Sequence, residues 1–136
     1  MKTIRVLILE DDLKACGVIL RVLEELEFEA IKKQVELSAV VLQEYGFVEE
    51  FVNEREWSGE DIVFLDREAD KGEPGSFHEL DFEKFNKDRI ISISSVPDFN
   101  EEAREKGVHR VAQKDFTRME EFGEKIREEL RDILGI

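Results

Sequence analysis

Acidic, hydroxyl and amino side chains follow four apolar runs that the sequence predicts to be strands. They are Glu10, Asp11 and Asp12 after "TIRVLIL" (3–9), Asp66 closing "DIVFLD" (61–66), Ser94 closing "RIISIS" (89–94) with Ser95 next to it, and Lys114 after "HRVAQ" (109–113). Grouped carboxylates suit a hard, oxygen-preferring cation such as Mg²⁺. An Asp beside that cation can attack phosphorus, and a hydroxyl and an ammonium can bind the phosphoryl oxygens. The residue types therefore predict phosphoryl-transfer chemistry.

These side chains can meet only if the strands that precede them are parallel and end at one edge of a sheet. The sequence alternates accordingly between strand and helix patterns. We predict a further strand at 28–33 and helices over Asp12–Leu26, over 36–56, from Ser76 through Phe85, over Asp98–Lys106, and from Thr117 to the end, with a loop at 67–75. Such alternation predicts an α/β fold with a parallel sheet covered by helices on both faces.

Composition limits the possible functions. A chain of 136 residues with 41% hydrophobic residues predicts one domain spanning 1–136 with its own core. The net charge of −14 argues against direct binding of nucleic acid. No apolar run reaches the roughly 20 residues of a membrane span, so we expect no membrane contact. One cysteine, Cys16, allows no internal disulfide, and we expect a cytoplasmic protein.

In this order and spacing, the motifs resemble a response-regulator receiver domain, the CheY-like phospho-acceptor of two-component signalling. The motifs are an acidic pair after the first strand, an Asp ending the third, a Ser ending the fourth and the "QKDF" lysine after the fifth. The resemblance implies a doubly wound, five-stranded parallel sheet of order 2-1-3-4-5, flavodoxin-like in architecture. It extends from the first strand to the last helix.

The resemblance also implies a role for each residue. Glu10 and Asp11 match the pair that holds Mg²⁺, and Asp12 is left to cap the first helix. Asp66 matches the phosphorylated aspartate. The remaining matches are the backbone carbonyl of Glu68 as a further metal ligand, Ser94 as the switch hydroxyl, Ser95 at the small position after it, and Lys114 as the lysine that pairs with the phosphoryl group.

The implied function is Mg²⁺-dependent transfer of a phosphoryl group to Asp66, followed by a conformational signal. The expected partners are a sensor histidine kinase or phosphotransfer protein and a downstream effector protein. The protein itself is expected to be a monomer or weak dimer. We expect no enzymatic activity beyond phosphorylation and dephosphorylation of its own aspartate.

Two departures from the family pattern keep other functions open. Asp115 stands where the family places a cis-proline after the lysine, and Val111 stands at the position of its aromatic switch residue. One alternative is therefore a pseudo-receiver, a protein-interaction module of the same fold that is not phosphorylated. Another is a Mg²⁺-dependent phosphohydrolase that uses Asp66 with Glu68 and Asp70.

Overall fold

A computed structural model describes residues 1–67 and 76–136. Its strands are β1 (Lys2–Leu9), β2 (Val35–Leu42), β3 (Ile62–Leu65), β4 (Ile90–Ser92) and β5 (Arg110–Val111), and its α-helices are α1 (Leu13–Lys32), α2 (Pro97–Glu105) and α3 (Met119–Leu134). All strand pairs are parallel, and the order is β2-β1-β3-β4-β5. The predicted fold class and strand order are confirmed.

The central strands are apolar on both faces because each face of the sheet has its own core. Val6 and Ile8 of β1 face a cluster formed with α1 and α3, which includes Ile19 and Ile126. The alternate β1 residues, such as Leu7, belong to a second cluster on the opposite face, with Val52, Phe77 and Ala103. Burial on both faces is typical of parallel strands and explains why β1 and β3 read as continuous apolar runs.

Helix α1 is longer than predicted, and the strand expected at 28–33 is wrong. Asp12 caps the helix as predicted, since its side chain accepts a hydrogen bond from the Ala15 N–H at 2.8 Å. The buried stripe then continues past the predicted end at Leu26 to Ala30. The residues from 28 onward, "FEAIK", include the good helix formers Glu, Ala and Lys, so propensity and periodicity both extend the helix.

The helix predicted over 36–56 is also wrong, because its first part is β2. Apolar residues at 37, 40 and 41 fit helical spacing by chance. The run nevertheless contains three valines, and β-branched residues favour strands. After β2 the chain forms only a 3₁₀ turn (Tyr45–Phe47) and one π-helical turn (Glu49–Asn53). One flank of the sheet is therefore covered by short turns rather than by a full helix.

The capping boxes predicted at Ser76 and Thr117 do not begin α-helices at those residues. Ser76 caps only a 3₁₀ turn, Phe77–Glu79, and two more such turns follow at Phe82–Lys84 and Lys87–Arg89. The side chains of Asp81 and Asn86 each accept the N–H two residues on, so they start new turns instead of continuing a helix.

Helix α3 begins at Met119 rather than Thr117. Asp115 accepts hydrogen bonds from both the backbone N–H and the hydroxyl of Thr117, which holds Thr117 in a turn. The remaining elements lie within a few residues of their predicted positions, although β4 and β5 are shorter.

Among residues 1–67 and 76–136, no helix combines the length and the apolar character needed to cross a membrane.

Candidate metal and phosphoryl site

Strands β1 and β3 bring their acidic ends together at the carboxyl edge of the sheet. The Asp66 N–H donates to the Leu9 carbonyl at 3.0 Å, and the Glu10 N–H donates to the Leu42 carbonyl at 3.1 Å, so both residues continue the sheet pairing. Carboxylate oxygens of Glu10, Asp11 and Asp66 all lie within 4.8 Å of one another. The expectation that these acids form one cluster is therefore met.

Lys114 enters this cluster from beyond β5. Its Nζ donates a hydrogen bond to Glu10 Oε1 and lies 3.4 Å from Asp66 Oδ2. The three residues are almost completely buried, with exposed fractions of 0% for Glu10, 2% for Asp66 and 4% for Lys114. A buried ammonium thus bridges the carboxylates of two neighbouring strands.

The electrostatics of the site favour additional positive charge. Burial and the charge of Asp66 raise the pKa of Glu10 to about 8. Burial also raises the pKa of Asp66, with Asp11 adding to the effect and Lys114 opposing it. Burial alone would lower the pKa of Lys114, but Asp66 and Glu10 outweigh burial and raise it. Lys114 therefore stays charged, while the carboxylates remain only partly compensated.

Backbone groups orient the carboxylates. Glu10 Oε2 accepts the Asp12 N–H at 3.0 Å, and Asp66 Oδ1 accepts the Arg67 N–H at 2.9 Å. The Gln43 side chain donates to the Asp11 carbonyl at 3.2 Å and holds that loop. Sequence reasoning missed Gln43, because its position at the end of β2 could not be seen while that segment was predicted to be helical.

Ser94 lies at the same sheet edge, and its hydrogen bonds connect it to α2. Its Oγ accepts the Val96 N–H at 3.1 Å. Its backbone N–H donates to Asn100 Oδ1 at 3.1 Å, and its carbonyl accepts from Asn100 Nδ2 at 2.9 Å. Asn100 also accepts the Ser92 hydroxyl at 2.6 Å and is 5% exposed. Sequence reasoning missed Asn100 as well. The available signal was that Asn100 lies three positions before Ala103, and therefore on the same face of α2 as that buried residue.

The two departures from the family pattern have plain local structures. The Lys114–Asp115 peptide bond is trans, and the Asp115 side chain caps the turn before α3. Val111 is half-buried in β5. Glu68, predicted to offer its carbonyl to a metal, and Asp70 of the phosphohydrolase alternative lie outside the described residues. Their predicted roles stay untested.

The donor set fits a divalent cation. Three carboxylates carry a charge of −3 when all are ionised, and Lys114 contributes +1, which leaves −2 in a site where Glu10 and Asp66 are buried and Asp11 is half-buried. Clustered carboxylate oxygens are the ligands that hard cations prefer. The cluster of Glu10, Asp11 and Asp66 could therefore bind a metal ion whose charge of +2 balances the site.

Several solved structures are similar to this chain. One is a response regulator receiver domain from Rhodospirillum rubrum, with a TM-score of 0.62 and 14% identity over 92% of this chain and 89% of that one. Another is the Mn(2+)-bound form of response regulator Rcp1, with a TM-score of 0.64 and 13% identity over 96% and 94%. The bacteriophytochrome response regulator AtBRR gives a TM-score of 0.50 and 15% identity over 100% and 95%. No protein-family model and no curated protein matches the sequence.

The chain thus has the fold of CheY-like response regulator receiver domains, in a divergent sequence. The resemblance that the motifs predicted is confirmed at the level of the fold.

Proposed function

We propose that this protein is a phosphorylation-controlled signalling domain that accepts a phosphoryl group on Asp66. The observation that carries the proposal is the buried contact of Lys114 with Glu10 and Asp66, with Asp11 beside them. Lysine and paired acids around one aspartate match the demands of phosphoryl transfer, in which charge on the phosphoryl oxygens must be offset. The similarity to the Mn(2+)-bound form of Rcp1 supports a divalent cation, and we propose Mg²⁺.

In this proposal each residue has a defined task. A carboxylate oxygen of Asp66 attacks phosphorus, so an O–P bond forms while the P–N bond of a kinase phosphohistidine breaks and imidazole leaves. Lys114 Nζ, already 3.4 Å from Asp66 Oδ2, binds a phosphoryl oxygen. Glu10 and Asp11 hold the metal with Asp66. Bound Mg²⁺ supplies positive charge that offsets the carboxylate and the phosphoryl oxygens.

The proposed partners follow from the same reaction. A histidine kinase or a phosphotransfer protein supplies the phosphoryl group, and an effector protein reads the phosphorylated state. The hydrogen bonds between Ser94 and Asn100 give this loop a direct connection to α2, which is a candidate route for the signal. Transfer to and from Asp66 is the only chemistry that we propose.

Beryllofluoride, which mimics a phosphoryl group on aspartate, tests the proposal. We expect the melting temperature to rise when beryllofluoride and Mg²⁺ are added together, and Asp66→Asn to abolish the rise. Asp132→Asn is a matched control, because the Asp132 side chain is 72% exposed and pairs with Arg110 rather than with a residue of the site, and it should leave the rise intact. Trp57 fluorescence is a poor readout here, since the Trp57 ring contacts Arg5 and Phe85 rather than the site.

One observation favours a second candidate function. Asp66 is only 2% exposed, and both of its oxygens already have partners, the Arg67 N–H and the Lys114 ammonium. A buried aspartate whose two oxygens are both hydrogen-bonded or ion-paired suits a pseudo-receiver, a protein-interaction module that is not phosphorylated. No change in melting temperature with beryllofluoride and Mg²⁺, in wild type as in Asp66→Asn, would favour this candidate.

A further inference from the structure

The outer edge of β2 carries unpaired backbone groups. The carbonyls of Gln34 and Leu42 accept hydrogen bonds from Lys2 and Glu10, so the even-numbered residues of this segment face β1. The N–H and C=O groups that point away from β1 belong to the odd-numbered residues Val35, Leu37, Ala39 and Val41. Within residues 1–67 and 76–136, no hydrogen bond reaches these groups.

This edge lacks the features that normally prevent strand pairing. Residues 37–43 contain no charge and no proline, although 40% of the whole chain is charged. Val40 and Val41 are 37% and 40% exposed. Natural edge strands are usually shortened, charged, bulged or covered, because an open edge pairs with other chains. An eight-residue, uncovered edge therefore indicates a surface for an added strand.

A groove runs along each side of the edge. On the α1 side, a cavity of about 190 Å³ lies between Leu20 of α1 and Leu37 and Ala39 of β2, with Glu24 and Glu27 among its lining residues.

On the opposite face, a cavity of about 440 Å³ is lined by Val40, Leu42, Phe51, Trp57 and the arginines Arg5 and Arg55. Side chains of an added strand point alternately to the two faces. One set of them would enter the first cavity and the other set the second.

The charges of the two grooves define the partner. Glu24 and Glu27 have no ion-pair partner among the described residues, and the chain as a whole carries −14. Basic side chains therefore suit the α1 side. The opposite groove is lined mostly by apolar and aromatic side chains. Of its two arginines, Arg5 is neutralised by Asp61 at 3.0 Å, and the Arg55 guanidinium lies over the Phe51 ring. Apolar side chains suit that side.

A second copy of this chain is a poorer occupant. Two β2 strands paired antiparallel are related by an axis perpendicular to the sheet, so α1 of each copy would lie on the same face. With the axis near Ala39, the unpaired Glu24 and Glu27, which line the cavity beside Leu37 and Ala39, would approach their own counterparts. Like charges brought together oppose such a pairing.

We propose that the outer edge of β2 binds an extended segment of another protein in which Lys or Arg alternates with apolar residues. Main-chain hydrogen bonds to Leu37, Ala39 and Val41 supply the pairing, and the two grooves select the side chains. This surface is separate from the Asp66 site and does not depend on the function proposed for it.

Short capped peptides test this proposal with the intact protein. We expect a peptide of alternating valine and lysine to bind about tenfold more tightly than one of alternating valine and glutamate. Trp57, the only tryptophan, lines the larger cavity and reports binding by fluorescence. Hydrogen exchange should show new protection at the amides of Leu37, Ala39 and Val41.

Substitutions at Ala39 and in α1 test the two parts of the surface. Ala39→Pro removes one outward N–H, which an edge strand tolerates, and should weaken binding about tenfold. Ser38→Thr is the control, because the Ser38 N–H faces β1 and its exposed side chain lines neither cavity, so this variant should bind like wild type. The double variant Glu24→Gln with Glu27→Gln should weaken binding of the lysine peptide about fivefold. The same variant should not weaken binding of the glutamate peptide.

Several results would overturn the proposal. They are equal binding of the lysine and glutamate peptides, equal binding by Ala39→Pro and Ser38→Thr, and no binding of the lysine peptide up to its solubility limit. A wild-type dimer that Ala39→Pro converts to monomer in light scattering would identify a second copy as the occupant instead.

Discussion

Replacing Lys114 with methionine tests whether its ammonium neutralises the buried carboxylates. Methionine fills similar space without charge, so the variant changes the site from a formal −2 to −3 when all three acids are ionised. Opposite unit charges 3.4 Å apart, the distance from Lys114 Nζ to Asp66 Oδ2, attract by about 5 kcal/mol at an effective dielectric near 20.

The net loss is smaller than this attraction, since burying the ammonium is itself unfavourable. Removing one partner of a buried ion pair typically costs about 3 to 5 kcal/mol. We expect a loss of about 3 kcal/mol in the free energy of unfolding, the lower end of that range, because the pKa of Glu10, raised to about 8, lets it hold a proton at neutral pH and so limits the charge left uncompensated.

Urea unfolding followed by circular dichroism, at neutral pH with a chelator present, measures this loss. Lys125→Met is the matched control, because Lys125 is half-exposed and its ion-pair partners among the described residues are Glu128 and Glu129 of α3. We expect it to cost less than about 1 kcal/mol. If Lys114→Met were as stable as Lys125→Met, the bridging role of Lys114 would be refuted.

Three further predictions concern pH, packing and metal. His78 is buried, and burial and the charge of Lys106 lower its pKa from 6.5 to about 4. The neutral imidazole therefore contributes its full share to the free energy of unfolding above pH 6.5, and this contribution is lost as the pH falls from 6.5 toward 4. This loss, at most about 3 kcal/mol, should be absent in His78→Gln when thermal unfolding is followed against pH. Asn100→Ala should cost about 2 to 3 kcal/mol in urea unfolding, because the groups of Ser92 and Ser94 that it satisfies stay buried. Mg²⁺ should raise the melting temperature of wild type more than that of Asp11→Asn, and an equal rise would contradict the metal site.

The sheet and the polar cluster at its carboxyl edge could be predicted from sequence because local patterns determine them. Continuous apolar runs define β1 and β3, and the polar residue that follows each run must lie at the carboxyl edge of a parallel sheet. This reasoning placed Glu10, Asp66 and Lys114 near one another, as the structure has them. It could not show that Lys114 contacts Glu10 as well as Asp66, since that contact depends on the path of the chain after β5.

The segment from 28 to 56 could not be predicted correctly, because its periodicity is ambiguous. "FEAIKK" has the length of a strand, but its Ala30 completes the buried stripe of α1. Residues 37, 40 and 41 have helical spacing, but β1 pairs with them as a strand. Tertiary pairing overrides local pattern in both places. The same error concealed Gln43 and the open edge of β2.

Phosphorylation of Asp66 is the central claim, and intact-mass measurement tests it most directly. The protein is incubated with Mg²⁺ and a small-molecule phosphodonor, and its mass is compared with that of Asp66→Asn and Asp132→Asn treated in the same way. We expect wild type and Asp132→Asn to gain the mass of one phosphoryl group, and Asp66→Asn to gain none. No added mass on wild type, or the same added mass on Asp66→Asn, would contradict a phospho-acceptor at Asp66.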